Sequence, residues 1–149
     1  MAKKTELQKL KTKLEKVCHD YIRARDSWDK GLAKTGYYNG FCFDCGKYIQ
    51  SQHFQAGHFH PSGSSGAILR YHPHNIHGQA SGCNMAFQQE RVKINYTLAM
   101  INKYGKNYVE KLGQLKQKTI KADCIFYQTM IDLYTEGNEK KIIKYLESL

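Results

Sequence analysis

Between Cys42 and Asn84 the chain carries His53, His58, His60, His72, His74 and His77, six of its 7 histidines, and Cys42, Cys45 and Cys83, three of its 5 cysteines. Cys42-Phe-Asp-Cys45-Gly46 has the form of a zinc knuckle. Two thiolates on one tight turn, relieved by a glycine, supply half of a tetrahedral zinc site, and Cys83 offers a third thiolate. A redox reading of Cys-x-x-Cys needs a thioredoxin-like βαβ context, which the sequence lacks. His58 and His60, two residues apart, share one face if they lie on a strand. Imidazole titrates near neutrality, so His58 can act as a general base. His53, His72 and His74 read as surface or satisfied core histidines.

These side chains need elements to hold them. Two strand-like pieces are expected, Phe54 to His60 and Ala67 to Tyr71, joined by the loop Pro61-Ser-Gly-Ser-Ser-Gly66. Asn75-Ile-His77 then falls in a loop, and a helix starts near Cys83-Asn84 and runs through Phe87. Strand, strand, helix, with histidine on the first strand and asparagine at the start of the helix, is the layout of ββα-metal (HNH) nucleases. Before it, Thr5 and Gln8 form a capping box. Leu7, Leu10, Leu14, Val17, Tyr21, Ala24 and Trp28 then predict an amphipathic helix to about residue 29. That stripe either packs on its own domain or, being close to a 3.5-residue repeat, pairs two copies. Cys18 beside it is expected to be a buried thiol. Gly31, Gly36, Asn39 and Gly40 mark a loop into the centre.

After the centre, Val92 to Tyr104 is a helix stopped by Gly105, and Tyr108, Leu112 and Leu115 suggest a short one. Thr119 caps a third with Cys124 on its buried side, ended by Gly137, and Ile142 to Leu146 lie in a last short helix. The expectation is one mostly helical α+β domain over 1–149: an N-terminal helix and loop (1–40), a zinc-knuckle and ββα-metal core (41–90) and C-terminal helices (91–149).

Net charge is +10. Residues 1–35 hold 10 basic and 5 acidic side chains and residues 91–149 hold 11 and 6, while the centre is neutral. Two basic arms around a His/Cys centre suit a polyanion lying across the molecule. Lys103 and Lys106 are among the lysines clustered at the first C-terminal connections, where phosphate contact would show as steep salt dependence. No apolar run is long enough to span a membrane. MAKKTELQKL lacks the apolar core of a secretion signal, which points to a reducing cytoplasm.

The run from Tyr21 to about Leu112 resembles the NinG/Rap family of phage recombination nucleases. The resemblance is carried by YIRARD, CFDCGK, AGHF, LRYHPHNIHGQ, Cys83-Asn84, Tyr96 and YGKNYVEKL, over roughly two thirds of the chain. The zinc-plus-HNH plan is also similar to phage endonuclease VII, a Holliday-junction resolvase. The resemblance implies a phage- or prophage-encoded, metal-dependent endonuclease in the host cytoplasm, cutting branched or recombination-intermediate DNA of Holliday-junction or D-loop type. Two symmetric cuts imply a homodimer.

In that scheme His58 is the general base and Asn84 offers a side-chain oxygen to a catalytic Mg2+ or Mn2+ ion. His60 is a second ligand or positions water or phosphate. Asn75 holds the loop and the imidazole, and Arg70 clamps a phosphate. Two positions depart from the family pattern. Typical members read Asn-Ile-His-x-Gln-Cys-x-x-Cys-Asn, but this chain has Ala80 at the first of those two cysteines. A fourth zinc ligand must then be His77, water or a distant residue, unless zinc binding is weak. Gly57 stands where many HNH sites place a metal-binding aspartate. Both departures leave open an alternative, a zinc-stabilised DNA-binding accessory with weak or no catalysis.

Overall fold

The computed structural model describes residues 2–149. Its described residues are mostly helical, with two small antiparallel sheets, an α+β architecture as expected. Helix α1 (Glu6–Asp26) opens on the Thr5–Gln8 capping box. It ends earlier than expected, because Ser27 is extended, its hydroxyl bonds Arg23 O, and the Trp28 N–H donates to Asn39 O. A one-turn helix α2 (Lys30–Ala33), capped by Asp29, follows. Hairpin β1 (Asn39–Phe41) and β2 (Tyr48–Gln50) is not among the expected elements, and its first strand takes up Asn39 and Gly40 of the expected loop. Its turn carries Cys42 and Cys45, with Gly46 at positive φ.

Strand β3 (Phe54–His58) forms as expected but stops at His58. Its partner is not the 67–71 segment. Ala67–Tyr71 falls on helix α3 (Gly66–Arg70) and its C-cap, entered through Gly66 at positive φ. A helical turn lets adjacent Ile68 and Leu69 enter two different cores, which a strand facing one core would not do. The true partner is β4 (Ile76–Ala80), so His77, expected in a loop, sits mid-strand opposite Gly57. Helix α4 (Ser81–Met85) starts before Cys83 and stops short of Phe87.

Helices α5 (Glu90–Tyr104) and α6 (Lys106–Gln114) meet at Gly105, whose positive φ makes the corner. Helix α7 (Cys124–Glu136) is capped by Asp123, not Thr119, and closes on left-handed Gly137. Helix α8 (Glu139–Glu147) follows. Cys124, expected in the core, is exposed because it is the first residue of α7 and the buried stripe runs through Phe126, Tyr127, Met130, Ile131 and Tyr134.

The main core joins Leu14, Cys18 and Ile22 of α1 to that α7 stripe, to Ile142 and Leu146 of α8, and to Ala56 and Ile76 of the β3–β4 pair. Thus α1 packs on its own chain, with Cys18 fully buried at its centre. Leu7 and Trp28, the ends of the expected stripe, are exposed. Arg25 ties α1 to the rest, pairing with Asp26 at 2.7 Å and Glu139 at 3.2 Å and donating to Pro73 O and Ile76 O. No helix among the described residues is long and apolar enough to cross a membrane.

Gly78 is one position where backbone closeness is essential. A Cβ there would overlap the ring of Phe54, which is fully buried. Gly78→Ala is therefore expected to cost about 1–3 kcal/mol by overpacking. For a chain of this size that lowers Tm by roughly 3–10 °C. An unchanged melting curve would show that the ring has room to move.

Candidate active site and metal centre

One cleft of about 240 Å3 brings together His58 from the end of β3, Arg70 from α3 and Asn84 from α4, with Ala56, Ser62 and Tyr71. Its fourth wall is α1, which contributes Glu15 and His19. Three of the residues singled out in the sequence thus share one cleft. His58 is fixed by a 2.8 Å contact from Nε2 to the Arg70 carbonyl. A carbonyl only accepts, so Nε2 carries the hydrogen and Nδ1 keeps its lone pair. Burial is the main reason that the His58 pKa is pushed down to about 4, with the neighbouring His19 and Arg70 pushing the same way. The imidazole is neutral at pH 7 and its free nitrogen can take a proton.

Glu15 and His19 were missed in the sequence. They lie four residues apart on α1 and so face the same way. His19 meets His58 edge-on, ring centroids 5.9 Å apart. Glu15 forms an ion pair with Arg70. The available signal was a carboxylate and an imidazole at i,i+4 on a helix otherwise full of lysine. Arg70, expected as a phosphate clamp, is thus already held by a carboxylate. Asn84 donates its amide to Gln55 Oε1 at 3.1 Å.

Other expected site residues lie elsewhere. His60 does not line the cleft, because β3 ends before it and the alternation that would align it with His58 is lost. Its ring packs against Phe59 and near Gly113, Nε2 is buried without a hydrogen-bond partner, and burial lowers its pKa to about 4. Asn75 is fully buried; it accepts from His60 N at 2.9 Å and donates to His60 O and Leu69 O at 3.1 and 2.9 Å. It pins the loop after β3, and its side-chain hydrogen bonds all go to backbone groups. Lys103 lines a separate cleft beside Phe41, and Lys106 is exposed at the start of α6.

The thiols of Cys42, Cys45 and Cys83 lie within 4.8 Å of one another, so hairpin and α4 together present three soft donors to one ion. That donor set fits zinc. Burial pushes the Cys42 thiol up and the Cys83 thiol to about 11, so metal binding must release protons. Ala80 lines the same cleft and offers no donor.

His77, one of the fourth-ligand candidates, belongs to a different cluster. It is fully buried and stacked on Phe43 at 3.9 Å. The Tyr96 hydroxyl donates to Gly57 O at 2.7 Å, so it accepts from His77 Nδ1 at 3.2 Å. The Tyr104 hydroxyl then donates to Nε2 at 2.8 Å. Both ring nitrogens are occupied, and the ring is held neutral.

Gln79 couples the two centres. Its Nε2 donates to Asp44 in the knuckle at 3.0 Å, and its side chain crosses Gly57 so closely that any Cβ there would overlap it. An aspartate before His58 would require the Gln79 side chain to move.

Acid should weaken the fold through its buried histidines. His72 is fully buried, its Nδ1 accepts from His74 N at 3.2 Å, and burial holds its pKa at about 3. Unfolded histidine titrates near ~6.5. Between those values the unfolded chain binds the extra proton, so stability is present above pH ~6.5 and is lost as pH falls towards 3. His72→Asn keeps an acceptor for His74 N but cannot titrate. It should flatten the stability loss between pH 6.5 and 5 by up to about 1.4 kcal/mol per pH unit. Denaturant titrations at both pH values would test this; equal slopes would contradict a neutral His72.

Compared with protein families, residues 1–142 match the model described as Bacteriophage Lambda NinG protein. Comparison with curated proteins and with solved structures finds no match.

Proposed function

Because the chain belongs to the NinG family of phage recombination proteins, we propose that it is a metal-dependent endonuclease acting on branched recombination intermediates. The observation that carries this reading is the cleft in which His58, with a free Nδ1, faces His19, Arg70, Glu15 and Asn84. Water attacks phosphorus, its proton passes to His58 Nδ1, and the bond to the 3′ oxygen breaks. The Nε2–H bond to the Arg70 carbonyl keeps the ring oriented and steadies the imidazolium. An incoming phosphodiester competes with Glu15 for Arg70, and the carboxylate so released joins Asn84 and His19 as a donor. Those donors suit Mg2+ or Mn2+, which when bound supplies Lewis-acid stabilisation of the phosphate and the leaving oxygen. The zinc knuckle is the structural metal centre of this scheme.

The basic arms hold the DNA, with Lys103 and Lys106 on phosphates, in the cytoplasm of the phage's host. Two symmetric cuts in a junction call for two copies related by a two-fold axis, so we propose that the DNA-bound form is a homodimer. A second reading, DNA binding without cutting, draws support from the Arg70–Glu15 pair, which occupies the phosphate clamp. The deciding experiment compares cleavage of a labelled four-way junction and a matched linear duplex, with Mg2+, Mn2+ or EDTA. Ion-dependent cutting of the junction is expected. Binding with no cleavage of either substrate would overturn the nuclease reading in favour of the second.

A further inference from the structure

Among the described residues four Phe, Tyr and Trp rings are exposed, and all four belong to one stretch: Trp28 at 70%, Tyr37 at 39%, Phe41 at 55% and Tyr48 at 44%. The other Phe and Tyr side chains are buried or half-buried. Register puts Phe41 opposite Tyr48 and Asn39 opposite Gln50, so these four side chains share the outer face of the β1–β2 hairpin. The inner face carries Ile49, packed towards Phe54. The Trp28 backbone joins the edge of β1, its amide N–H donating to Asn39 O at 2.6 Å. Tyr37 reaches the same face, donating to Gln50 Oε1 at 3.0 Å, and Asn39 Nδ2 donates to the Tyr48 hydroxyl at 2.7 Å. Phe41 and Tyr48 meet edge-on at 5.6 Å, which leaves flat ring surface free. The Tyr37, Phe41 and Tyr48 rings are thus tied to the hairpin or to one another although they face solvent.

Charge indicates what lies on them. Phe41 also borders a cleft of about 310 Å3 lined by Arg25, Phe43, His77 and Lys103. Lys47, next to Tyr48 in the chain, is exposed. The nearby carboxylates are engaged: Asp29 caps α2, Asp26 pairs with Arg25, and Asp44 binds Cys42 and Gln79. Fixed aromatic faces with free ammonium groups beside them are the recognition chemistry of unpaired nucleic-acid bases and their phosphates.

We propose that the outer face of the β1–β2 hairpin, with Trp28 and Tyr37, is a stacking platform for unpaired bases of single-stranded DNA. This rests on the reading of the chain as DNA-binding. It gives the branched substrate a specific feature to be recognised: the strand left unpaired at a branch point.

Trp28 is the chain's one tryptophan, so its fluorescence reports on the platform. The test titrates the full chain with oligo-dT and, separately, with a blunt duplex. Oligo-dT is expected to quench Trp28. Phe41→Ala should weaken oligo-dT binding on the order of 10-fold, with duplex affinity and Tm unchanged, while Phe41→Tyr retains binding. Duplex binding with no quenching by oligo-dT and no loss in Phe41→Ala would overturn the platform and leave the DNA-binding reading standing. Equal loss of oligo-dT and duplex affinity would also overturn it, because a duplex offers no unpaired base. Failure to bind any DNA would overturn both.

Discussion

Replacing His58 with alanine is expected to lower junction cleavage by about 10²–10⁴-fold, the range contributed by a positioned general base, while leaving DNA affinity within a few fold. The prediction follows from hydrogen-bond direction. The Arg70 carbonyl takes the Nε2 hydrogen, so proton acceptance falls to Nδ1. Loss of both cutting and binding would show a collapsed site, and cutting within tenfold of the parent would remove His58 from the chemistry. The pH profile is a second readout. The His58 pKa lies near 4, so its basic form persists well below neutrality. The acid limb of kcat/KM should accordingly fall below pH 6.5, the midpoint an exposed histidine would give. An acid limb at 6.5 or above would assign the proton transfer to another group.

Ala80→Cys is expected to tighten zinc binding on the order of 100-fold. Three thiols already converge within 4.8 Å, and Ala80 borders the same cleft, so a thiol there completes a four-thiolate set. Four-ligand structural zinc sites bind with about 10–16 kcal/mol, or roughly 3 kcal/mol per ligand, and 1.4 kcal/mol is tenfold in affinity. Competition against a chromophoric chelator measures the change directly. Affinity should also rise with pH in both proteins, since the raised Cys42 and Cys83 thiols must lose protons to bind. An unchanged affinity in Ala80→Cys would mean that a protein donor other than His77 already fills the fourth position.

The parts of the fold legible in the sequence were those governed by local chemistry. The Thr5 capping box, the Gly105 and Gly137 stops and the knuckle turn each depend on a few adjacent residues. The pairing of β3 was not legible. Ala67–Tyr71 is a short apolar run that suits strand or helix equally, and periodicity over five residues cannot separate them. The true strand, Ile76–Ala80, hid because His77 and Gln79 are buried by specific hydrogen bonds while Gly78 sits against Phe54, which breaks the apolar alternation. The same limit explains the cleft. His58, Arg70 and Asn84 stood out by type and spacing, whereas Glu15 and His19 enter from a helix far earlier in the chain, brought in only by tertiary packing. His60 was misplaced by extending β3 two residues too far.

The packing of α1 against α7 has a consequence for synthesis. Leu14, Cys18 and Ile22 find their partners at Phe126 to Tyr134, more than a hundred residues later. At ~5–20 residues per second a ribosome takes on the order of ten seconds to deliver that partner. Until then the helix bearing Glu15 and His19 is seated on Ala56 and Ile76 of the β3–β4 pair but lacks its partners on α7 and α8. The α1 wall of the cleft therefore gains its full packing only once α7 and α8 have left the ribosome.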